Sequence, residues 1–96
     1  SESGGLHSGN FENSVIIEPV YIHEKVIIKN SVIGPYVSIG ANSTINKCIL
    51  EDSIVGENST LEQVMLGNSL IGDEGIVRDS YKHLNLGNHS EISFTE

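Results

Sequence analysis

Aliphatic residues recur at every fifth or sixth position through most of this 96-residue chain, and this spacing constrains the fold more than any other feature. A small or β-branched residue usually stands two positions before each of them, which places both side chains on one face of a short strand. Each unit is therefore a strand of about four residues followed by a tight turn. The predicted inward residues are Ile17, Ile22, Ile28, Ile33, Ile39, Ile45, Leu50, Val55, Leu61, Leu66, Ile71 and Val77, with Leu86 and Ile92 after an irregular gap.

Short repeats support the same register. They read Asn30-Ser-Val-Ile-Gly34, Asp52-Ser-Ile-Val-Gly56 and Asn68-Ser-Leu-Ile-Gly72, and Asn13-Ser-Val-Ile-Ile17 is a fourth without its glycine. Three units close one coil, because equivalent residues then stack 16 or 17 positions apart. We expect an all-β solenoid, a triangular parallel β-helix of about five coils. The glycines that follow the aliphatic residue are expected to supply positive φ angles in the turns.

Composition and charge exclude several classes of function. There are 13 acidic residues against five Lys and Arg, and the net charge of −8 argues against binding to nucleic acid or to an anionic membrane. No apolar run is long enough to span a bilayer. The single cysteine, Cys48, cannot form an internal disulfide, and its predicted position is inward. These features favour a cytoplasmic location.

One stretch is more specific than a generic hexapeptide repeat. The run Ile16-Ile-Glu-Pro-Val-Tyr-Ile22 is followed by Asn30-Ser-Val-Ile-Gly-Pro-Tyr-Val-Ser-Ile-Gly40. It resembles the C-terminal left-handed β-helix of sugar-1-phosphate nucleotidyltransferases, and most of all the long-form glucose-1-phosphate thymidylyltransferase type. The resemblance implies a left-handed solenoid from a protein of nucleotide-sugar synthesis. It also implies that the parent enzyme uses Mg²⁺, whereas the β-helix itself has no cofactor.

The N-terminal catalytic domain of such enzymes has no counterpart here, because the chain lacks a Gly-rich nucleotide loop containing Arg and Lys. We therefore expect an excised C-terminal domain that does not transfer nucleotides by itself. Residues 1–10 are polar and rich in Gly and Ser, which predicts a loose tail before a β-helix domain over 11–96. The expected partners are further copies of the chain, as a dimer or trimer, and the catalytic domain.

An apolar column predicts the surface through which copies associate. In the predicted register, Ile16, Val32, Ile49 and Met65 are outward neighbours on one face. A sheet that faces water usually alternates apolar and polar residues, so four aliphatic or thioether side chains in one outward column indicate a covered surface. The expected role is structural, the assembly of subunits; a regulatory role and a free-standing binding module are further options that the sequence leaves open.

An acyltransferase that acts at a trimer interface is the alternative function. Hexapeptide acyltransferases use a histidine as general base, and His23 is the candidate because it occupies a turn position that is otherwise glycine. The His-x-x-Tyr arrangement of bifunctional uridyltransferase/acetyltransferases is absent, since Val26 stands at its last position. No catalytic or cofactor-binding residues are assigned. No metal ligands are assigned either, since nothing in the pattern brings His7, His83 and His89 together.

Overall fold

The protein is a parallel β-solenoid whose short strands follow one another around three sides of a prism. The computed structural model describes residues 8–78. Within this range there are only strands, turns and bends, as the aliphatic spacing predicts. The strands are β1 Asn10–Glu12, β2 Val15–Ile16, β3 Val20–Ile22, β4 Ile27–Lys29, β5 Val32–Ile33, β6 Val37–Ile39, β7 Thr44–Asn46, β8 Ile49–Glu51, β9 Ser53–Val55, β10 Thr60–Glu62, β11 Met65–Gly67, β12 Leu70–Ile71 and β13 Ile76–Arg78.

Every third strand pairs in parallel with the same side of the next coil. Sheet 1 has the order β2-β5-β8-β11, sheet 2 has the order β3-β6-β9-β12, and sheet 3 has the order β1-β4-β7-β10-β13. Strands β2 to β13 make about four coils, and β1 lies beneath them as part of a further turn. The expectation of about five coils was therefore too high. Leu86 and Ile92, which were counted toward a fifth coil, lie outside the described residues.

The interior contains the aliphatic residues that the spacing predicts, with one exception described below. Along β3, β6 and β9 the outer two of each three residues are buried and the middle one is not, which is the period of two expected of a strand with one face in the core. The buried hydrophobic residues form one cluster: Val20, Ile22, Val26, Ile28, Ile33, Val37, Ile39, Ile45, Cys48, Leu50, Val55, Leu61 and Val64.

The first coil differs from the predicted register by one residue. Ile16, predicted to be outward, pairs with Ile33 and packs against the core, whereas Ile17, predicted to be inward, is 43 % exposed. Ile17 occupies the position of Gly34, since their amides donate to Ile33 and Leu50 in equivalent hydrogen bonds. The repeat beginning at Asn13 is thus aligned with the repeat beginning at Asn30 without a shift, and its first step has six residues, not five.

Every turn at a corner of the prism, except the one between β2 and β3, contains a residue other than glycine in the left-handed region of φ. Those between sheets 3 and 1 are Asn13, Asn30, Lys47 and Gln63, those between sheets 1 and 2 are Tyr36, Asp52 and Asn68, and those between sheets 2 and 3 are Lys25, Asn42, Asn58 and Glu74. Among the turn glycines within residues 8–78, the expectation of positive φ was wrong except at Gly34, whose φ is 107°, and Gly87 lies outside the described residues. Gly56 is required instead by close packing, because a Cβ there would lie 2.6 Å from the amide nitrogen of Asp73 in the next coil.

Inward hydroxyl groups tie successive coils together just after the corners. The Ser43 hydroxyl accepts from the Ser59 amide at 3.1 Å and donates to the Gly56 carbonyl at 2.9 Å. Ser31 plays the same part on sheet 1, where its hydroxyl accepts from the Cys48 amide at 3.0 Å. The small inward residues of the repeat are therefore hydrogen-bonding groups as well as space-filling ones.

The solenoid also begins slightly before the predicted domain boundary. The amides of Ser8 and Asn10 donate to the carbonyls of Ile22 and Val26 at 2.9 and 2.8 Å, and Asn10 is the first residue of β1. Phe11 pairs with Ile28 and so lies at the N-terminal end of the stack on sheet 3. Residues 8–10 therefore belong with the solenoid and not with the predicted tail.

Candidate self-association surface

The outer surface of sheet 1 has an unbroken column of apolar side chains. Strand pairing places Val15, Val32, Ile49 and Met65 side by side, one in each coil. Three of them are about half exposed or more, at 55 % for Val15, 49 % for Ile49 and 60 % for Met65, and Val32 is half-buried. We call these four residues the apolar column. It contains three of the predicted interface residues, with Val15 in the place predicted for Ile16.

The apolar column lies between two further outward columns that are almost free of charge. On one side are the corner residues Asn13, Asn30, Lys47 and Gln63, and on the other are Ile17, Gly34, Glu51 and Gly67. Eleven of these twelve positions are exposed or half-buried and Gly34 is buried; Lys47 and Glu51 are the only charged side chains among them, although the chain as a whole carries 18 charged residues. Both lie in the coil that contains Ile49, and Ile49 is midway between them in sequence. The sequence analysis did not assign either residue, although their equal spacing about Ile49 is visible in the sequence.

Side-chain hydrogen bonds connect the first two residues of the corner column. The Asn13 side-chain amide donates to the Asn30 side-chain carbonyl at 2.6 Å, and the Asn30 amide donates to the Asn46 side-chain carbonyl at 3.3 Å. Neighbouring amide groups thus satisfy one another along the edge of sheet 1. The Asn13 and Asn30 side chains are therefore held beside the apolar column by bonds within the chain.

A shallow apolar depression lies at the C-terminal half of the same surface. Its lining comes from Ile49 and Glu51 of β8 and from Met65, Leu66 and Gly67 of β11. A Cβ built on Gly67 would meet nothing within 4 Å, so this glycine leaves open space at the margin of the depression. The only charged group in the lining is the Glu51 carboxylate, which makes the depression suited to an aliphatic chain with a positive end.

The other two sheets present less continuous apolar surfaces. On sheet 2 the outward residues are Tyr21, Ser38, Ile54 and Leu70, and on sheet 3 they include Ile27, Thr44, Thr60 and Ile76. Each of these columns is interrupted by hydroxyl side chains. Scattered exposed aliphatic residues are ordinary on protein surfaces, whereas a column without a polar member is not.

His23 is exposed at the corner between sheets 2 and 3. Its backbone amide donates to the Ile39 carbonyl at 3.1 Å, and its φ is not positive; Lys25 holds that conformation in this turn. Among residues 8–78, no side-chain hydrogen bond or ion pair orients the imidazole. General base catalysis by His23 therefore stays a prediction from the sequence.

Cys48 is buried at the inward position that Ser31 occupies one coil earlier, which confirms the predicted inward position. Its thiol donates to the Asn46 carbonyl at 3.3 Å. Burial raises the pKa of the Cys48 thiol, and backbone hydrogen bonding from Val64 and Asn46 opposes the rise. The thiol therefore takes the place of a hydroxyl between coils and is shielded from reagents.

The part of the chain that the structure describes has neither a cluster of metal ligands nor a membrane-spanning helix. No group of three or more His, Cys, Asp or Glu residues within 8–78 is arranged to hold a metal ion. Nor does this part contain a helix that is long and apolar enough to cross a membrane.

Comparison with known proteins gives one match. The model of the family described as GlmU-like, C-terminal hexapeptide, matches residues 1–60, which is more than half of the chain. No curated protein matches the chain, and no solved structure matches it.

Proposed function

Because the chain belongs to the GlmU-like C-terminal hexapeptide family, we propose that it is the C-terminal β-helix of a protein of the sugar-1-phosphate nucleotidyltransferase type and that its role there is assembly. The family match also supports the left-handed sense of the solenoid. In this proposal, nucleotidyl transfer and its Mg²⁺ requirement belong to a catalytic domain outside this chain. The β-helix would join copies of the protein and fix the positions of their catalytic domains.

The apolar column is the observation that carries this proposal. Burying an aliphatic side chain completely is worth about 1.5–3 kcal/mol, and side chains that are already about half buried gain about half of that. Four such residues per chain therefore offer a gross stabilisation of about 3–6 kcal/mol for each copy, or about 6–12 kcal/mol for a pair. Association costs about 4–15 kcal/mol in lost freedom. The column thus supports a weak, concentration-dependent association of the isolated domain.

Sedimentation of the wild type and two double variants tests the proposal. Ile49→Lys with Met65→Glu places charges in the apolar column, and Ile54→Lys with Leu70→Glu makes the same changes at paired, exposed positions of sheet 2. We expect the first pair to abolish the concentration dependence of the sedimentation coefficient and the second pair to preserve it. Circular dichroism would verify that all three proteins are folded.

Two results would contradict the assembly role. The wild type could sediment as a monomer at every concentration up to about 1 mM, the range in which an interface of this size should associate. Alternatively, the two double variants could weaken association equally, which would mean that the apolar column is not the surface involved. Both variants leave the net charge unchanged, so electrostatic repulsion cannot explain a difference between them.

A further inference from the structure

We propose that two copies of this chain pack sheet 1 against sheet 1 with their solenoid axes parallel, so that Lys47 of each copy lies opposite Glu51 of the other. This inference rests on the assembly role proposed above and adds the partner and its orientation. The occupant of the apolar column is a second copy of the same chain, related by a two-fold axis that runs along the solenoid direction past Ile49.

The placement of charge on sheet 1 supports this arrangement. Lys47 precedes Ile49 by two residues and Glu51 follows it by two, and all three side chains are exposed. A two-fold axis parallel to the solenoid reverses the strand direction between the two copies and keeps each coil opposite its equivalent. Lys47 then meets Glu51 on both sides of the axis, and Ile49 meets Ile49 in the centre. Isologous packing of this kind needs a self-complementary surface, which the coil 47–51 provides.

The shape of the outer surface of sheet 1 fits the same orientation. Opposite the corner residue Gln63 the arrangement places Gly67 of the second copy, which is exposed and has no side chain to collide with it. The depression beside Gly67 is lined by apolar groups and by the Glu51 carboxylate. The aliphatic stem of Lys47 from the second copy can lie in this depression while its ammonium group pairs with Glu51.

The opposite orientation brings like charges together. If the solenoid axes are antiparallel and β8 is again central, the strands of the two copies run in the same direction. Lys47 then meets Lys47, and Glu51 meets Glu51. Like-charge contacts at an interface disfavour the wrong partner or the wrong orientation. The charge pattern of the coil 47–51 therefore selects the parallel dimer.

The size of the surface sets the expected affinity. Four strands spaced about 4.8 Å apart, each about 13 Å long between residues 47 and 51 or their equivalents, give a footprint of about 250 Å² per copy. This is well below the roughly 800 Å² per partner of a standard stable interface. We expect a dissociation constant of about 0.1–1 mM for the chain alone.

Charge reversal and charge exchange test the orientation. Lys47→Glu and Glu51→Lys are each expected to weaken dimerisation about tenfold at low salt, because two exposed ion pairs are replaced by two like-charge contacts. The double variant Lys47→Glu with Glu51→Lys is expected to restore the wild-type constant. Glu51→Lys is the sharper test, since it lowers the magnitude of the net charge from −8 to −6 by replacing a −1 side chain with a +1 side chain. If general repulsion governed association, this variant would dimerise more tightly than the wild type.

Matched controls are available at another corner. Lys25, with φ 60°, has nearly the backbone conformation of Lys47, with φ 58°, and lies between sheets 2 and 3. Lys25→Glu changes the net charge as Lys47→Glu does, but it should affect dimerisation much less. Equal effects of these two variants, or a double variant that stays as weak as the single ones, would overturn the parallel orientation while leaving association through the apolar column intact.

Cross-linking is an independent test of the relative orientation of the two copies. In a Cys48→Ser background, Met65→Cys is expected to cross-link to its equivalent through a short bis-maleimide, whereas Thr44→Cys on sheet 3 should not. In the antiparallel arrangement residue 65 lies opposite residue 32, so cross-linking only in a mixture of Met65→Cys with Val32→Cys proteins would overturn the proposal. Sedimentation at the mass of a trimer would also overturn it. A wild type that does not associate would refute the assembly role itself.

Discussion

The inward hydroxyl of Ser43 should be one of the most sensitive positions in the solenoid. Its side chain is completely buried and makes two hydrogen bonds, one from the Ser59 amide and one to the Gly56 carbonyl. Ser43→Ala removes the hydroxyl that serves both backbone groups and leaves no room for a water molecule to replace it. The substitution changes the side-chain volume very little, so the loss of hydrogen bonding dominates the effect.

The expected loss of stability follows from the two backbone groups, the Ser59 amide and the Gly56 carbonyl, that lose their hydrogen-bond partner. A buried donor or acceptor without a partner costs about 1–3 kcal/mol. We expect Ser43→Ala to lower the free energy of unfolding by about 2–4 kcal/mol, out of a total of about 5–14 kcal/mol for a chain of this length. With a urea dependence of about 1–2 kcal/mol/M, the midpoint of unfolding should fall by about 2 M.

Urea unfolding followed by circular dichroism would measure this effect. Ser38→Ala is the control, because Ser38 points outward on sheet 2 and the structure shows no hydrogen bond from its side chain; this variant should unfold within about 0.5 kcal/mol of the wild type. Ser43→Cys should lose less stability than Ser43→Ala, since Cys48 shows that a thiol can occupy such a position. A Ser43→Ala protein as stable as Ser38→Ala would refute the bridging role of the inward serines.

Three further substitutions test the core, the turns and the thiol. Ile39→Asp places an unpaired charge in the buried interior and should prevent folding, at a cost of several kcal/mol, which a flat far-ultraviolet spectrum would reveal; a folded variant would mean that the inward positions are misassigned. Gly56→Ala should lower the melting temperature by several degrees more than Gly72→Ala, because only the first would bring a Cβ against the backbone of Asp73; equal melting temperatures would contradict this. The raised pKa of Cys48 means that its contribution to stability is present below the ordinary thiol pKa of 9.0 and is lost as pH rises through the folded value. The wild type should therefore lose stability relative to Cys48→Ser above about pH 9 in thermal melts, and parallel pH profiles would exclude the linkage.

Much of the fold was predictable from sequence because the period of the repeat is short and its core positions are chemically uniform. Twelve inward aliphatic positions were assigned from spacing within the described range, and eleven of them are inward in the structure; Ile17 is the exception. The error arose because Ile16 and Ile17 are equally apolar, so spacing alone could not choose between steps of five and six residues. The repeat Asn13-Ser-Val-Ile-Ile17, aligned with Asn30-Ser-Val-Ile-Gly34, contained the information that fixes the register.

The turns and the candidate surface were less predictable. The roles of glycines in turns depend on how closely successive coils approach, and sequence spacing does not report the distance from Gly56 to Asp73. Residues in the left-handed conformation include Lys47, Tyr36 and Gln63, which have no special preference for it, and the packing of the corners overrides their intrinsic tendency. Three of the four residues of the apolar column were predicted. The fourth, Val15, was missed because the predicted register of the first coil was wrong by one residue.

The constant distance along the chain between paired strands has a consequence for folding. Phe11 pairs with Ile28, Ile28 with Ile45 and Ile45 with Leu61, so each new strand closes a loop of 16 or 17 residues whatever the number of coils already formed. The entropic cost of closing a loop is set mainly by the number of residues in that loop. A longer solenoid built on the same repeat would gain stability with every coil, while no single step of its folding would require a longer search than the first.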